Sequence, residues 1–277
     1  MNIEFLPEEI NAVRLYQGCG LPEEQDAFYQ QNKAYYAFNL LMMEGQDGEH
    51  VRICAEGQHP NIIYIQRWTE TLDVLVTLFQ VQCKYACQQR TEGKSLPNPL
   101  VRGDRKVNFD QMYAAGGTIA FTSTSQNVLC EEFLEGKQDP HVLHITLGEK
   151  VPYLDFENFF GSANGLPEEH EVLLPPGVSM ACGRCWKEIH EGIGIVSHYD
   201  VVFNAFNTNI EMENEDLLID VLNTNKEAAA IALSDLVDKK LDSCVLKDDS
   251  HIYWKWKTAF RKLALQRMVS IYECYFA

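Results

Sequence analysis

The apolar pattern changes period near residue 99 and again near residue 207, and these two switches limit what the chain can fold into. Before the first, Ile62, Ile65, Trp68, Leu72, Leu75, Phe79, Cys83 and Ala86 recur at helical spacing and predict a core-facing helix opening after Pro60. An earlier helix is predicted from Leu21-Pro22-Glu23-Glu24, through Phe28, Tyr35, Phe38 and Leu41–Met42, to a stop at Gly45. Glu92-Gly93-Lys94-Ser95-Leu96-Pro97-Asn98-Pro99 then breaks the helical pattern. Short β-rich runs follow: Leu100 to Val107, Thr118 to Ser125, His141 to Leu147 and Val151 to Phe156. Val178 to His190 and Ile193 to Phe206 predict a hairpin around Glu191-Gly192. From Asn207 the helical period returns. The expectation is an α+β protein: an N-terminal helical region over 1–98, a β core over 99–206 and a C-terminal helical extension over 207–277.

Composition narrows the function classes. The chain has 277 residues, 46% of them apolar, which is enough for a sizeable core. A net charge of −17 argues against general nucleic-acid binding, which needs a basic footprint. A local arginine can still hold a phosphate. No stretch of about 18 apolar residues is present, so no membrane span is expected. Met1 to Glu9 lacks the basic start and apolar run of a signal peptide. Nine cysteines without a framework suggest reduced thiols in a cytosol. Cys83 and Cys87, one helical turn apart, read as core thiols, and Cys182-Gly183-Arg184-Cys185 as a strand pair. His141, His144, His170 and His198 show no metal-ligand spacing, so no metal is expected. The segment His251 to Ala277 is basic and aromatic, with Trp254, Trp256 and Phe260 among its rings. It suits either a membrane or partner surface or a closing helix packed on an acidic body.

Three pieces carry the chemistry, in order, inside the β-rich stretch. Leu100-Val101-Arg102-Gly103-Asp104 puts an arginine and a glycine on a strand. Phe121-Thr122-Ser123-Thr124-Ser125 is an aromatic strand end with a Ser-Thr-Ser run. Glu169-His170-Glu171-Val172-Leu173-Leu174-Pro175-Pro176-Gly177 is a Glu-x-Glu strand stopped by a turn. Alternation on an extended strand would place Glu169 and Glu171 on one face, about 7 Å apart. Two such carboxylates can hold a cation, an oxocarbenium-like centre or a hydroxyl. A glycine-rich loop over 157–168, with Phe159 and Phe160, leads into this strand.

The ordered triplet resembles the arginine–serine–glutamate class of mono-ADP-ribosyltransferases, which includes clostridial binary toxins, cholera-type toxins and vertebrate ecto-transferases. The resemblance covers about residues 98–206. It implies two small packed sheets with NAD, the co-substrate, in the cleft between them. It also implies that Arg102 pairs with a phosphate of NAD and that Gly103 admits the nicotinamide amide. Ser123 would orient Glu171, with Thr124 and Ser125 beside the cofactor and Phe133 stacked on nicotinamide. Glu171 would hold the ribose 2′-hydroxyl and support the positive charge that develops as the glycosidic bond breaks. Glu169 would position and deprotonate an acceptor guanidinium, so transfer to an arginine of a target protein is expected. Phe159 or Phe160 would meet that target, and Tyr29, Tyr35 and Tyr36 suit either a cover over NAD or the core. The setting expected from these features is a bacterial effector delivered into a host cell, or an enzyme of its own cytosol. An NAD glycohydrolase using the same site, or a non-catalytic binding module on the same fold, remains open at this point.

Overall fold

A computed structural model describes residues 4–17, 34–43, 62–126, 134, 139–160, 170–238 and 252–276. The chain divides into two compact units. One is built on Gln82–Thr208 with the end of the chain from Tyr272, and the other on Glu4–Val81 and Asn209–Ile271.

The second unit is helical. It holds α1 (Pro7–Gln17), α2 (Ala34–Met42), α3 (Ile62–Gln66), the first part of α4 (Trp68–Thr91), α7 (Glu215–Asp238) and most of α8 (Ile252–Phe276). The predicted stripe is its core: Ile65, Trp68, Leu72, Leu75 and Phe79 are all buried. Phe38 stacks edge-on with Tyr64, at 5.4 Å between ring centres. The aromatic residues of α8 are inside as well, with Trp256 and Phe260 fully buried. The Trp256 indole donates to the Leu222 carbonyl at 3.1 Å. Two of the basic residues of α8 pair with acids, Lys262 with Glu213 and Arg267 with Glu215. This is the closing-helix arrangement, and it leaves Trp256 and Phe260 no surface to offer a membrane. Among the described residues no helix is long and apolar enough to cross one.

The first unit is built on a sheet of seven strands: β1 (Leu100–Arg105), β2 (Thr122–Gln126), β3 (Pro140–Lys150), β4 (Leu154–Asp155), β5 (Glu171–Leu174), β6 (Val178–His190) and β7 (Gly194–Phe206). Their order is β4-β5-β2-β1-β3-β7-β6. All pairs are antiparallel except β3 with β7, which run parallel. The expected two sheets are therefore one hydrogen-bonded sheet. The reason lies in β1, whose Leu100 and Val101 pair with Gln126 and Ser125 on one side and with Ile145 and His144 on the other. From Arg102 to Arg105, β1 follows β3 alone. The sheet thus parts between β1 and β2 just where Arg102 begins.

Two short helices fall where strand or loop is predicted. α5 (Lys106–Ala115) takes over from β1, buries Phe109 and Met112 one turn apart, and ends on Gly116 in the left-handed region at φ 67°. α6 (Phe156–Phe160) starts at Asp155, whose carboxylate accepts the Asn158 amide N–H at 3.0 Å as a helix cap does. The turn after β5 is clamped by one residue. The Thr118 hydroxyl donates to the Pro175 carbonyl at 2.7 Å and accepts the Val178 amide at 2.9 Å. The Gly177 amide donates to the Thr118 carbonyl at 2.7 Å, and Gly177 itself sits at φ 80°. Within this unit the end of α4 packs on the sheet. The buried Gln82 side-chain amide donates to the Leu173 carbonyl of β5 at 2.8 Å.

Candidate functional site

Arg102, Ser123 and Glu171 come from three strands and meet at the seam in the sheet. β2 and β5 pair antiparallel with Ser125 opposite Glu171. Ser123 and Ser125 therefore lie on one face of β2, the face that Glu171 shares. The Ser123 hydroxyl donates to Glu171 Oε1. The Ser123 backbone carbonyl accepts Arg102 Nη1 at 2.5 Å across the gap between β1 and β2. One serine thus ties the guanidinium to the carboxylate without placing the two charges in direct contact.

Arg102 is held on a second side. Its Nε donates to Asp104 Oδ2 at 2.7 Å, two residues along the same strand. Asp104 is buried and also accepts the Arg105 amide at 2.8 Å and the Asn108 side-chain amide at 2.6 Å. Burial pushes the Asp104 carboxyl up. The Arg102 charge and the three hydrogen bonds outweigh it and hold the group below the usual carboxylate range. Asp104 is a charged anchor that fixes where the guanidinium points. With Nε and Nη1 engaged, Nη2 has no hydrogen-bond partner among the described residues, which leaves a donor edge for an anion.

The neighbours of the triplet take other parts. Thr124 is buried and its hydroxyl donates to the Val172 carbonyl at 2.7 Å, so it stitches β2 to β5. Ser125 is all but buried beside it. Gly103 continues β1 opposite Val142. Phe159 and Phe160 sit on α6, half-buried, with Phe159 against Tyr85 at 6.3 Å and against Phe160 at 4.9 Å. Tyr35 lies on α2 in the helical unit. Glu169, Phe133 and Tyr29 lie outside the described residues. His170 adopts φ 42°, so β5 begins at Glu171, and the alternation expected from Glu169 onward does not run through it. His170 Nδ1 instead meets the Glu157 carboxylate at 2.6 Å.

A cavity of about 340 Å³ lies in the same unit, lined by Tyr85, Gln89, Gln126, Tyr153, Asp155 and Asn158 among others. It is close in sequence to the triplet, since Gln126 ends β2 and its amide donates to the His170 carbonyl at 3.1 Å. None of Arg102, Ser123 and Glu171 lines it. Burial, offset in part by Arg90 and reinforced by Asp155, pushes the Tyr153 phenol up to about 12. Burial and Asp155 raise Tyr85 as well. Both phenols are therefore protonated donors at neutral pH.

Cys83 is buried, and burial chiefly raises its thiol well above the ordinary value, which suits an inert core residue. No family model, curated protein or solved structure matches this chain.

Proposed function

We propose that the chain is an NAD-dependent mono-ADP-ribosyltransferase that modifies an arginine of a target protein. One observation carries this reading: residues 21 and 48 positions apart are drawn into the relay Arg102–Ser123–Glu171. A guanidinium with an open donor edge suits a pyrophosphate. A carboxylate oriented by a serine hydroxyl suits a ribose hydroxyl beside a developing positive centre. Both groups belong to the ADP-ribose half of NAD, and the 2′-hydroxyl stands beside the scissile bond to nicotinamide.

In the reaction the bond between ribose C1′ and the nicotinamide nitrogen breaks, and the electron pair leaves with nicotinamide. Glu171 accepts a hydrogen bond from the 2′-hydroxyl and stabilises the oxocarbenium-like centre. A guanidinium nitrogen of the target then bonds to C1′ and gives up a proton, for which Glu169 is the assigned acceptor. Arg102 holds the phosphates throughout, and Asp104 holds Arg102.

The test uses the whole chain with labelled NAD and a cell lysate, beside a Glu171→Gln variant. A discrete labelled protein band, absent with the variant and mapped to arginine by mass spectrometry, is the expected result. Free ADP-ribose without a labelled band would assign the site to NAD hydrolysis instead. NAD neither bound nor consumed would overturn both enzyme readings and leave a binding module.

A further inference from the structure

At the other end of the sheet from Glu171, the paired strands β3, β7 and β6 bring histidines, a glutamate and a tryptophan together. Trp186, Glu188 and His190 alternate onto one face of β6. His198, opposite Trp186 on β7, joins that face. His190 Nε2 lies 3.1 Å from His198 Nε2. Glu188 Oε2 lies 3.8 Å from the same His198 nitrogen. Among the described residues these three form the one group of histidine, cysteine and acid ligands that can converge on an ion, with ligand atoms all within 4.8 Å of one another.

His190 and His198 hydrogen-bond through these two ring nitrogens, and the same spacing suits a shared metal ion. Two imidazole nitrogens bound tetrahedrally to zinc at about 2.0–2.1 Å stand about 3.3 Å apart. The observed 3.1 Å is near that value. The outer contacts also have the form that metal ligands need. His198 Nδ1 faces His144 Nε2 at 3.0 Å, so its second ring nitrogen can donate while Nε2 keeps a lone pair for the ion. Glu188 Oε1 accepts the Trp186 indole N–H at 2.8 Å, which orients the other oxygen. The Trp186 ring stacks on His198 at 5.2 Å and on His144 at 5.1 Å, fixing both imidazoles. His198 is buried, Glu188 is exposed and His190 is between the two, so the group opens to solvent on one side. Arg184 rests on the Trp186 ring at 4.9 Å.

The geometry points to a divalent transition-metal site made by Glu188, His190 and His198, with two imidazoles, one carboxylate and a coordination position left for water. The ion joins β6 to β7 beside the Glu191–Gly192 turn. It is independent of the NAD reading, since β5, which carries Glu171, lies four strands from β7 and five from β6 along the sheet.

Cobalt(II), whose visible absorption reports its ligands, is the probe for the full chain. One equivalent binds, giving a tetrahedral or five-coordinate nitrogen–oxygen spectrum without a thiolate charge-transfer band, and zinc displaces it. Zinc also raises the unfolding temperature. Both effects are lost in Glu188→Gln and His190→Gln, which replace partly exposed side chains. They persist in Cys182→Ser/Cys185→Ser and in Glu171→Gln. Unchanged unfolding of the metal-free variants shows that the fold is intact. Failure to bind a stoichiometric ion overturns the proposal. So does binding that survives His190→Gln, or a spectrum with thiolate bands that disappears with the two cysteines.

Discussion

Replacing Asp104 with asparagine tests whether the site is held in place by a buried charge. Asp104 accepts from Arg102 Nε, the Arg105 amide and Asn108, and it is buried. An asparagine keeps one acceptor oxygen but turns an NH₂ group toward donors. Losing one member of a buried ion pair costs about 3–5 kcal/mol. A charge-assisted hydrogen bond alone is worth about 1.5–3 kcal/mol. The Arg102 side chain is 25% exposed, so water recovers part of the guanidinium's solvation. The expected loss is therefore near the lower figures, about 2–3 kcal/mol. At about 2–4 °C per kcal/mol, the melting temperature falls by about 4–12 °C.

The pH dependence gives a sharper criterion. The folded Asp104 carboxyl titrates below its unfolded value. Its contribution is thus fully present above the unfolded pKa of about 3.9 and disappears as pH falls through the lower folded value. The gap between wild type and Asp104→Asn should be flat from pH 8 to about pH 5 and narrow below about pH 4. Urea unfolding of both proteins across that range measures it. Equal stability at pH 7 would refute the anchoring argument, as would a gap that stays constant to about pH 3.

Other substitutions probe the seam and the turn. Ser123→Ala removes the hydroxyl that orients Glu171 from an exposed position, so NAD turnover should fall about 10–100-fold while stability changes by less than about 0.5 kcal/mol. Matching turnover in this variant would dismiss the relay. Gly117→Ala would put a Cβ 2.1 Å from the Val178 carbonyl oxygen, and backbone must move to relieve it. A loss above about 2 kcal/mol is expected by thermal unfolding, and a neutral result would mean that Gly117 does not approach the start of β6 this closely. Thr118→Val strands the Val178 amide and the Pro175 carbonyl in a buried turn, for about 1–3 kcal/mol by urea titration. Thr118→Ser, which keeps both bonds, should recover most of that loss.

Much of this architecture can be read from local pattern. The hairpin of β6 and β7 follows from two alternating runs around Glu191-Gly192, and the α4 stripe from its 3.6-residue period. The α5 helix was hidden by the strand-like run of Leu100 to Val107, although Phe109 and Met112 at helical spacing and the stop at Gly116 mark it. The start of α6 was signalled by Asp155, a capping residue inside a run that otherwise reads as extended. Arg102, Ser123 and Glu171 were legible because each belongs to a recognisable piece of strand. Asp104 stood in the same piece, but only burial and its three donors reveal its task. Glu188, His190 and His198 were illegible as a group because their proximity depends on how β6 and β7 lean across their register, which no linear spacing encodes.

The parting of β1 from β2 has a mechanical meaning. Between every other pair of strands within each half, sliding or opening must break a ladder. Among the described residues the ladder between β4-β5-β2 and β1-β3-β7-β6 consists of the pairing at Leu100 and Val101, and beyond it Arg102 reaches the Ser123 carbonyl. The sheet is therefore softest along the line where the guanidinium and the carboxylate stand. Thermal breathing of the unit concentrates there, and amide exchange beyond Val101 should outpace that of β3 and β7. A dinucleotide that bridges Arg102 and Glu171 would act as a strut across this soft line, stiffening the protein at the place where it binds.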